Sequence, residues 1–300
     1  MAKTINKIIL DILFGGWKMK DKNIKKMVRE SYGKIAKQNS SCCGPETSCG
    51  CRVDNKFDEA SKNIGYTDKD IKEVPEGSNL GLGCGNPIAL ASLKEGEIVL
   101  DLGSGAGFDC FLAANKVGEK GKVIGIDMTQ EMLDKARENI LKGNYKNVEF
   151  RLGEIDNLPV ADNFIDIVIS NCVINLAPDK KRVFSEVYRV LRSGGRIMIS
   201  DLVLLRKLNL PDAVTGVLDS YGSCITRAMM KEEYINNIED AGFINVKIIE
   251  EVRSPFDFDA DDPNVKEIIK NMDIGSEYLI KIKEDNKDSI ASIKVYGEKP

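Results

Sequence analysis

The stretch Ile98-Val-Leu-Asp-Leu-Gly-Ser-Gly-Ala-Gly107 runs from a short apolar segment into a turn with glycine at every second position. The apolar segment is typical of a buried parallel strand, and Phe108 to Val117 has the composition of the helix that follows it. The alternating glycines leave room for backbone amides and the helix N-terminus to approach a ligand closely. The stretch therefore predicts a nucleotide-binding loop in an α/β sheet.

The spacing of this loop argues against a dinucleotide. Dinucleotide sites favour G-x-G-x-x-G or A, but the sixth position counted from Gly103 is Phe108. Asp101, two residues before the first glycine, instead completes the D/E-x-G-x-G-x-G pattern of methyltransferases, in which this acid helps to hold the methionine end of S-adenosylmethionine. The loop residues expected at this cofactor are Gly103, Ser104, Gly105 and Gly107.

A second acid follows about one β-α unit downstream, where Lys122-Val-Ile-Gly-Ile-Asp127 is an apolar strand that ends in a carboxylate. A carboxylate at this strand end can accept both ribose hydroxyls of a nucleotide. Asp127 also fits a cap of the predicted helix Met128 to Ile140, and the two roles are compatible. Further expected contacts are Met128 on the adenine, Glu154 and Ile155 near its amino group, and Asn171 beside the methyl-transfer site.

Composition narrows the class of protein. The 300 residues allow one large or two modest domains, and the 42% apolar content can build a sizeable core. The net charge of -4 gives no reason to expect nucleic acid, which attracts a basic face. No segment reaches the length of a membrane span, and Ile8 to Phe14, broken by Asp11, is too short for a signal peptide. That segment fits a docking helix or an extension before a start at Met19. Eight cysteines without a secretion signal predict reduced thiols in the cytoplasm.

Three regions follow one another along the chain. Residues 1–76 are lysine-rich and helical in pattern, except for the Cys-containing segment Ser40 to Cys51, which is typical of a loop. Residues 77–205 alternate strand and helix, which predicts a parallel sheet with helices on both faces. Residues 206–300 begin with a mostly helical segment to about 230 and contain a helix at Lys231 to Ala241. The seven expected strands lie near 97–102, 122–126, 148–152, 165–170, 195–201, 245–252 and 289–298.

Four motifs give the chain a family resemblance: Asn79 to Pro87, the loop Asp101 to Gly107, Gly125-Ile-Asp-Met-Thr129 and Ser170-Asn-Cys-Val-Ile-Asn-Leu176. Together they resemble arsenite S-adenosylmethionine methyltransferases, most densely from about Pro75 to Leu205. The resemblance implies a Rossmann-like, seven-stranded class I methyltransferase sheet. It also implies that Cys172 and Cys224 hold trivalent arsenic, with Cys84 and an N-terminal cysteine such as Cys43 as transient ligands or redox partners. The implied partners are arsenite or methylarsenite and a thioredoxin- or glutathione-type thiol reductant.

The chemistry of arsenic is compatible with these residue types. Trivalent arsenic is soft and prefers thiolates, and three thiolates leave it a lone pair that can attack the methyl carbon in line. No proton has to leave this nucleophile, so no general base is needed. The absence of histidine from the chain is compatible with this. The chain's task would be to position the two reactants. Methylation formally oxidises the arsenic, and a cysteine pair can return the two electrons by forming a disulfide that an external dithiol reduces.

Each cysteine also has a structural interpretation. Cys110, inside an apolar helix, is expected to be a small buried hydrophobe. Cys172 follows Ile165-Asp-Ile-Val-Ile, and ligands bind at such strand ends in open α/β sheets. Cys84 lies among glycines, in backbone expected to be flexible, where a functional role is favoured over a structural one. Beside Cys224 the bulky Arg227 departs from the small residues usual in the family, which affects the expected shape of the arsenic pocket.

The N-terminal cysteines 42, 43, 49 and 51 lack the usual pair of C-x-x-C knuckles. They fit a mobile redox or arsenic-delivery loop better than a structural zinc site, and the sequence does not single out one of them. Two further functions stay open. One is methylation of a small organic acceptor, such as a quinone or sterol precursor, with structural cysteines. The other is a thiol-rich metalloid-binding or sensing protein without turnover.

Overall fold

A computed structural model describes residues 21–38, 54–87, 91–210, 215, 224–254 and 276–300. Several expectations concern residues outside these ranges. They are the role of cysteines 42, 43, 49 and 51, the segment Ile8 to Phe14, and residues 211–214 and 216–223 of the segment expected to be mostly helical to about 230. Residues 206–210 and 224–230 of that segment are described and contain no helix, so the helical prediction is wrong there. Across the described residues, no helix combines the length and apolarity that crossing a bilayer requires.

Seven strands form one sheet in the order β3-β2-β1-β4-β5-β7-β6. Strands β1 to β5 pair in parallel, whereas β7 is inserted antiparallel between β5 and β6. The predicted parallel core is confirmed, and the late pair of strands also pairs as expected, although a helix separates them. The strands are β1 Ile98–Leu102, β2 Lys122–Asp127, β3 Val148–Leu152, β4 Ile165–Asn171, β5 Leu191–Leu204, β6 Ile244–Ser254 and β7 Ile290–Glu298.

The helices cover both faces of the sheet and its carboxyl edge. In chain order they are α1 Asp21–Gln38, α2 Asp54–Asn63, α3 Asp68–Lys72, α4 Phe108–Val117, α5 Gln130–Gly143, α6 Lys180–Val190, α7 Lys231–Asp240 and α8 Ser276–Asn286. A 3-10 turn at Ile174–Leu176 follows β4. The helix expected from Met128 begins two residues later, because Thr129 has extended backbone and is its N-cap. Asp127 is therefore not the cap of α5.

The core has two layers because side chains alternate across the central strands. On one face Val99 and Ile167 pack with Phe111 of α4. On the other, Leu100 and Val168 pack in the cluster that contains Phe184 of α6. Strands β1 and β4 are thus covered on both faces, as their continuous apolar runs predict.

Helix α1 lies against α5 and is tied to loops at the carboxyl edge of the sheet. Lys25 donates from its Nζ to Glu154 at 2.7 Å and to Asp156 at 2.9 Å. Arg29 donates from Nε to the carbonyl of Met128 at 3.1 Å. The N-terminal region therefore forms one wall of the candidate site. The boundaries at residues 76 and 205 stay predictions.

Candidate active site

One pocket opens at the carboxyl ends of β1, β2 and β4, where α/β sheets bind ligands. Its wall brings together most residues that the sequence predicts for the cofactor: Asp101, Gly103, Ser104, Gly105, Asp127, Met128, Glu154, Ile155 and Asn171. Cys172 lines the same pocket. Gly107 is not part of this wall. A Cβ at Gly107 would lie 2.7 Å from Phe111 and 2.8 Å from Phe150, so this glycine shapes the turn by packing against the core.

Gly105 and Asp127 form the polar centre of the pocket. Gly105 has a φ of 51°, and a Cβ at this position would meet no atom within 4 Å, so the turn leaves open space there. The amide of Gly105 donates to Asp127 Oδ2 at 2.9 Å, and the amide of Thr129 donates to Oδ1 at 2.8 Å. Burial raises the pKa of Asp127, although these backbone donors oppose the shift. The carboxylate is thereby held at the mouth of the glycine turn.

Asp101 lies deeper and is 2% exposed. The Cys110 thiol donates to Asp101 Oδ2 at 3.1 Å, and burial followed by the charge of Asp109 raises the pKa of Asp101 well above its ordinary range. Cys110 is fully buried in the apolar cluster around α4, as expected, but its thiol also has this polar partner. Two buried acids, Asp101 and Asp109, therefore lie close together at this end of the pocket.

Tyr66 and Asp109 were not predicted, and both line the pocket. The Tyr66 hydroxyl donates to Asp109 Oδ1 at 2.6 Å, and the Asn171 amide donates to Asp109 Oδ2 at 3.1 Å. Burial raises the pKa of Asp109 to about 6. The sequence signal for Asp109 was an acid in the first turn of the helix after the glycine loop. Tyr66 comes from a separate segment, and no local pattern identifies it.

The predicted arsenic ligands converge beside this pocket. Cys172 follows β4 with a φ of 62°, and its Sγ lies 3.8 Å from Sγ of Cys224. Left-handed backbone is rare for a residue with a side chain and is concentrated at functional sites. Cys84 completes the group, because its Sγ, Sγ of Cys172 and a carboxylate oxygen of Asp201 all lie within 4.8 Å of one another. All three cysteines are free thiols.

The environment favours protonated thiols in this group. Burial is the main cause that raises the pKa of Cys84. For Cys172 the hydrogen bond with Cys224 lowers the pKa, but contact with Cys84 and burial outweigh it and leave the pKa well above its ordinary value. The pKa of Cys224 is also raised well above its ordinary value, first by its hydrogen bond with Cys172 and then by burial. At neutral pH the cluster therefore rests as thiols.

The backbone of Cys84 is fixed, contrary to the expectation of flexibility. Its amide donates to Asn171 Oδ1 at 3.0 Å, and its carbonyl accepts from Ser292 Oγ at 2.7 Å. A Cβ at Gly85 would lie 1.9 Å from Ser200 Oγ, so glycine allows the loop to pack directly on β5. The glycines around Cys84 thus serve close approach to the sheet.

Asp201 is the residue of this cluster that sequence reasoning missed. It is fully buried in β5, where its carboxylate accepts from Tyr234 Oη at 3.0 Å and from Asn175 Nδ2 at 2.8 Å. The amide of Leu202 donates to it at 2.9 Å. Burial raises the pKa of Asp201 to about 7. The available signal was a carboxylate in the mostly apolar second half of β5, Ile197 to Leu204.

Helix α1 contributes two further unpredicted residues. Tyr32 lines the pocket, and burial, followed by the nearby Cys224 and Cys172 and then Asp127, raises its pKa. Tyr32 therefore lies near both the pocket carboxylate Asp127 and the thiols. Lys25 also lines the pocket and pairs with Glu154, whose carboxylate also accepts from Arg29 at 3.2 Å. Glu154, predicted to meet the adenine, is thus engaged with α1.

Comparison with known proteins adds an independent line of evidence. A family model described as a methyltransferase domain matches residues 93–242. An arsenite methyltransferase from Halobacterium salinarum is 49% identical over 245 residues, which are 79% of this chain and 62% of that protein. The arsenite methyltransferase of Homo sapiens is 33% identical over 77% of this chain and 61% of its own length. The chain therefore spans about three fifths of these curated relatives.

A solved structure agrees with these relatives. The crystal structure of an arsenic(III) S-adenosylmethionine methyltransferase from Chlamydomonas reinhardtii has a TM-score of 0.55 and 31% sequence identity, and the match covers 80% of this chain and 73% of that one. The similarity reaches beyond the matched methyltransferase domain, because it covers four fifths of the chain.

Proposed function

The chain belongs to the methyltransferase domain family, and from this membership we propose that it transfers methyl groups from S-adenosylmethionine to trivalent arsenic bound by thiolates. The fold is that of class I S-adenosylmethionine-dependent methyltransferases. One observation carries the proposal for the acceptor: the thiols of Cys84, Cys172 and Cys224 converge at the pocket that the glycine loop forms, and Cys172 lines that pocket.

The pocket fits this cofactor. Open space over Gly105 and the carboxylate of Asp127 suit a ribose that donates two hydroxyls, with Met128 and Ile155 as apolar walls for a base. The acids Asp101 and Asp109 at the inner end suit a cationic amino group. When bound, the cofactor supplies an electrophilic methyl group on a sulfonium.

The thiol cluster fits the acceptor. Three thiols can exchange for the three hydroxides of arsenite, and each thiol proton leaves with a hydroxide as water. The raised pKa values of the cysteines therefore do not oppose binding. The three thiolates leave the arsenic lone pair free, and the fixed backbone of Cys84 and Cys172 orients it. Catalysis then rests on near-attack geometry, without a general base.

The second half of the cycle needs electrons. Methylation takes arsenic formally from the trivalent to the pentavalent state, and two thiolates that join as a disulfide return two electrons. Cys172 and Cys224 lie near enough for such a step, in which their two bonds to arsenic break as the S–S bond forms and two electrons pass to the arsenic. A dithiol reductant of the thioredoxin or glutathione type then restores both thiols. Because it needs free thiols, this cycle suits the cytoplasm, where we propose that the protein works.

The assignment can be tested directly with purified protein. We expect methylated arsenicals to form from arsenite, S-adenosylmethionine and a dithiol reductant, and chromatographic separation of the arsenic species counts them. The matched control omits arsenite and supplies a quinone acceptor. Methylation of the quinone but not of arsenite would show that the acceptor is a small organic molecule. Arsenite binding without any turnover would indicate a sensor.

A further inference from the structure

We propose that Cys84, Cys172, Cys224 and Asp201 also form a binding site for a tetrahedral, thiophilic divalent cation such as Zn²⁺ or Cd²⁺, which competes with arsenite. The four side chains come from four separate places: the loop before β1, the end of β4, the segment after β5, and β5 itself. The inference does not depend on arsenic methylation, because cation binding needs only the cluster.

The spacing of the sulfur atoms supports a tetrahedral occupant. Zn–S bonds of about 2.3 Å place two sulfurs of a tetrahedral site about 3.8 Å apart, and the Sγ atoms of Cys172 and Cys224 lie 3.8 Å apart. The lone pair of trivalent arsenic compresses its S–As–S angles below the tetrahedral value. The separation of these two sulfurs therefore suits a tetrahedral cation, whereas arsenic must draw them together.

The position of Asp201 is the second observation that supports a divalent cation, because trivalent arsenic does not need a carboxylate ligand. Three thiolates complete trivalent arsenic, yet a carboxylate oxygen of Asp201 lies within 4.8 Å of two of the sulfurs. Zinc sites accept carboxylate oxygen together with cysteine sulfur and take four ligands. Cys84, Cys172 and Asp201 thus supply three mutually close ligand atoms, and Cys224, with its Sγ 3.8 Å from that of Cys172, would complete a set of four by moving towards the cation.

The carboxylate is also supported as metal ligands usually are. Tyr234 and Asn175 donate to different oxygens of Asp201, so the group is oriented by two buried side chains. Such outer partners fix the position of metal ligands and are part of most metal sites. A divalent cation with three thiolates and a carboxylate has a net negative charge. Lys180 supplies nearby positive charge, which partly offsets it.

Binding has a simple balance. The cation displaces the three thiol protons, which pass to the buffer, and no electron moves. Cation affinity therefore rises with pH. Because the same sulfurs would carry arsenic, a bound cation excludes arsenite, and excess zinc acts as a competitive inhibitor of methylation.

The experiment uses the full chain in which Cys42, Cys43, Cys49 and Cys51 are replaced by serine, so that zinc binding cannot come from them. Under reducing, oxygen-free conditions we expect one equivalent of Cd²⁺ to give the ultraviolet thiolate-to-cadmium charge-transfer band. X-ray absorption at the zinc edge should report three sulfurs and one oxygen around the bound ion. A zinc shell without an oxygen, or no charge-transfer band, would overturn the site.

Three variants distinguish zinc binding from arsenite binding. Asp201→Asn, which keeps the shape of the side chain, should weaken zinc binding by about 10- to 100-fold and leave arsenite affinity unchanged in calorimetric titration. Cys172→Ser should weaken both, and Cys110→Ser should weaken neither. Equal losses for zinc and arsenite in Asp201→Asn would contradict a fourth-ligand role. Zinc binding in a protein that does not methylate arsenic would refute the proposed function alone. Arsenic methylation by a protein that does not bind zinc would refute this site alone.

Discussion

The two halves of the candidate site are built differently. The cofactor half, around β1 and β2, is local: one glycine turn and one strand end supply its backbone amides and the Asp127 carboxylate. The thiol half is assembled from chain segments more than 100 residues apart, with Cys84 and Cys224 as its outer members. A short motif thus specifies the first half, whereas tertiary packing specifies the second. Substitutions should therefore separate cofactor binding from arsenic chemistry.

The largest effect is expected at the thiol that faces the pocket. Cys172→Ser should abolish arsenite methylation, a loss of more than about 1,000-fold in kcat/KM, because an alcohol is a harder and far less acidic donor than a thiol. Cofactor affinity should stay at the parental level in calorimetry. The matched control, Cys110→Ser, should keep most of the activity and lose mainly stability. Turnover of Cys172→Ser near the parental rate would remove the arsenic assignment.

The next effect falls on the cofactor half. Asp127→Ala should remove two charge-assisted hydrogen bonds to the ribose, about 2 to 4 kcal/mol, so cofactor affinity falls by tens to hundreds of fold. Arsenite binding to the thiols should persist, which would show that the halves act independently. Asp134→Ala, an exposed acid on α5, is the control and should bind cofactor normally. Unchanged affinity in Asp127→Ala would place the ribose elsewhere.

A smaller effect is expected from the N-terminal cysteines. If arsenic passes through this cluster only during delivery or re-reduction, replacing Cys42, Cys43, Cys49 and Cys51 by serine should slow methylation of arsenite. Monomethylated trivalent arsenic supplied with a dithiol should react at the parental rate, because it needs fewer ligands exchanged. The measurement compares the two rates in parent and variant. Equal loss on both substrates, together with zinc in the parent protein, would indicate a structural metal site.

The smallest effect is on stability and concerns Asp109. Burial raises the pKa of Asp109 to about 6 in the native state, whereas its pKa in the unfolded chain is near 4. Between these two pH values the native state therefore holds a proton that the unfolded chain has released. The contribution of Asp109 to the free energy of unfolding is therefore highest at low pH and is lost as the pH rises through 6. Between pH 5 and 7.5 this contribution falls by about 1 kcal/mol.

Urea unfolding at both pH values measures the total change, to which the buried Asp201 with a pKa of about 7 also contributes, and Asp109→Asn should reduce the fall by about 1 kcal/mol. The exposed control Asp134→Asn should keep the parental slope. The same change in stability in the parent and in Asp109→Asn would mean that the Asp109 carboxyl is not held in its acid form.

Local patterns were sufficient where the physics is local. Apolar runs predicted the central strands β1, β2 and β4, since strands buried on both faces have no polar side. The edge strand β3 instead alternates apolar and polar residues. The predicted position of Cys172 at a strand end is confirmed, and Cys172 lines the pocket there. Its role as a ligand stays a prediction. The expectation for Cys84 was wrong about its surroundings, because glycines permit both a flexible loop and tight packing. Only the contacts with Asn171 and Ser292 distinguish the two.

By itself, therefore, the sequence determined the parallel sheet, the glycine turn and the acid at the end of β2, because each depends on neighbours within one β-α unit. The tertiary structure alone decided that Cys84 and Cys224 meet Cys172, that Asp201 lies beside Cys84 and Cys172, and that Tyr32 of α1 lines the pocket near the thiols. Those residues are distant in the chain, and no periodicity records their proximity. Packing of the loops and α1 against the carboxyl edge of the sheet brings them together.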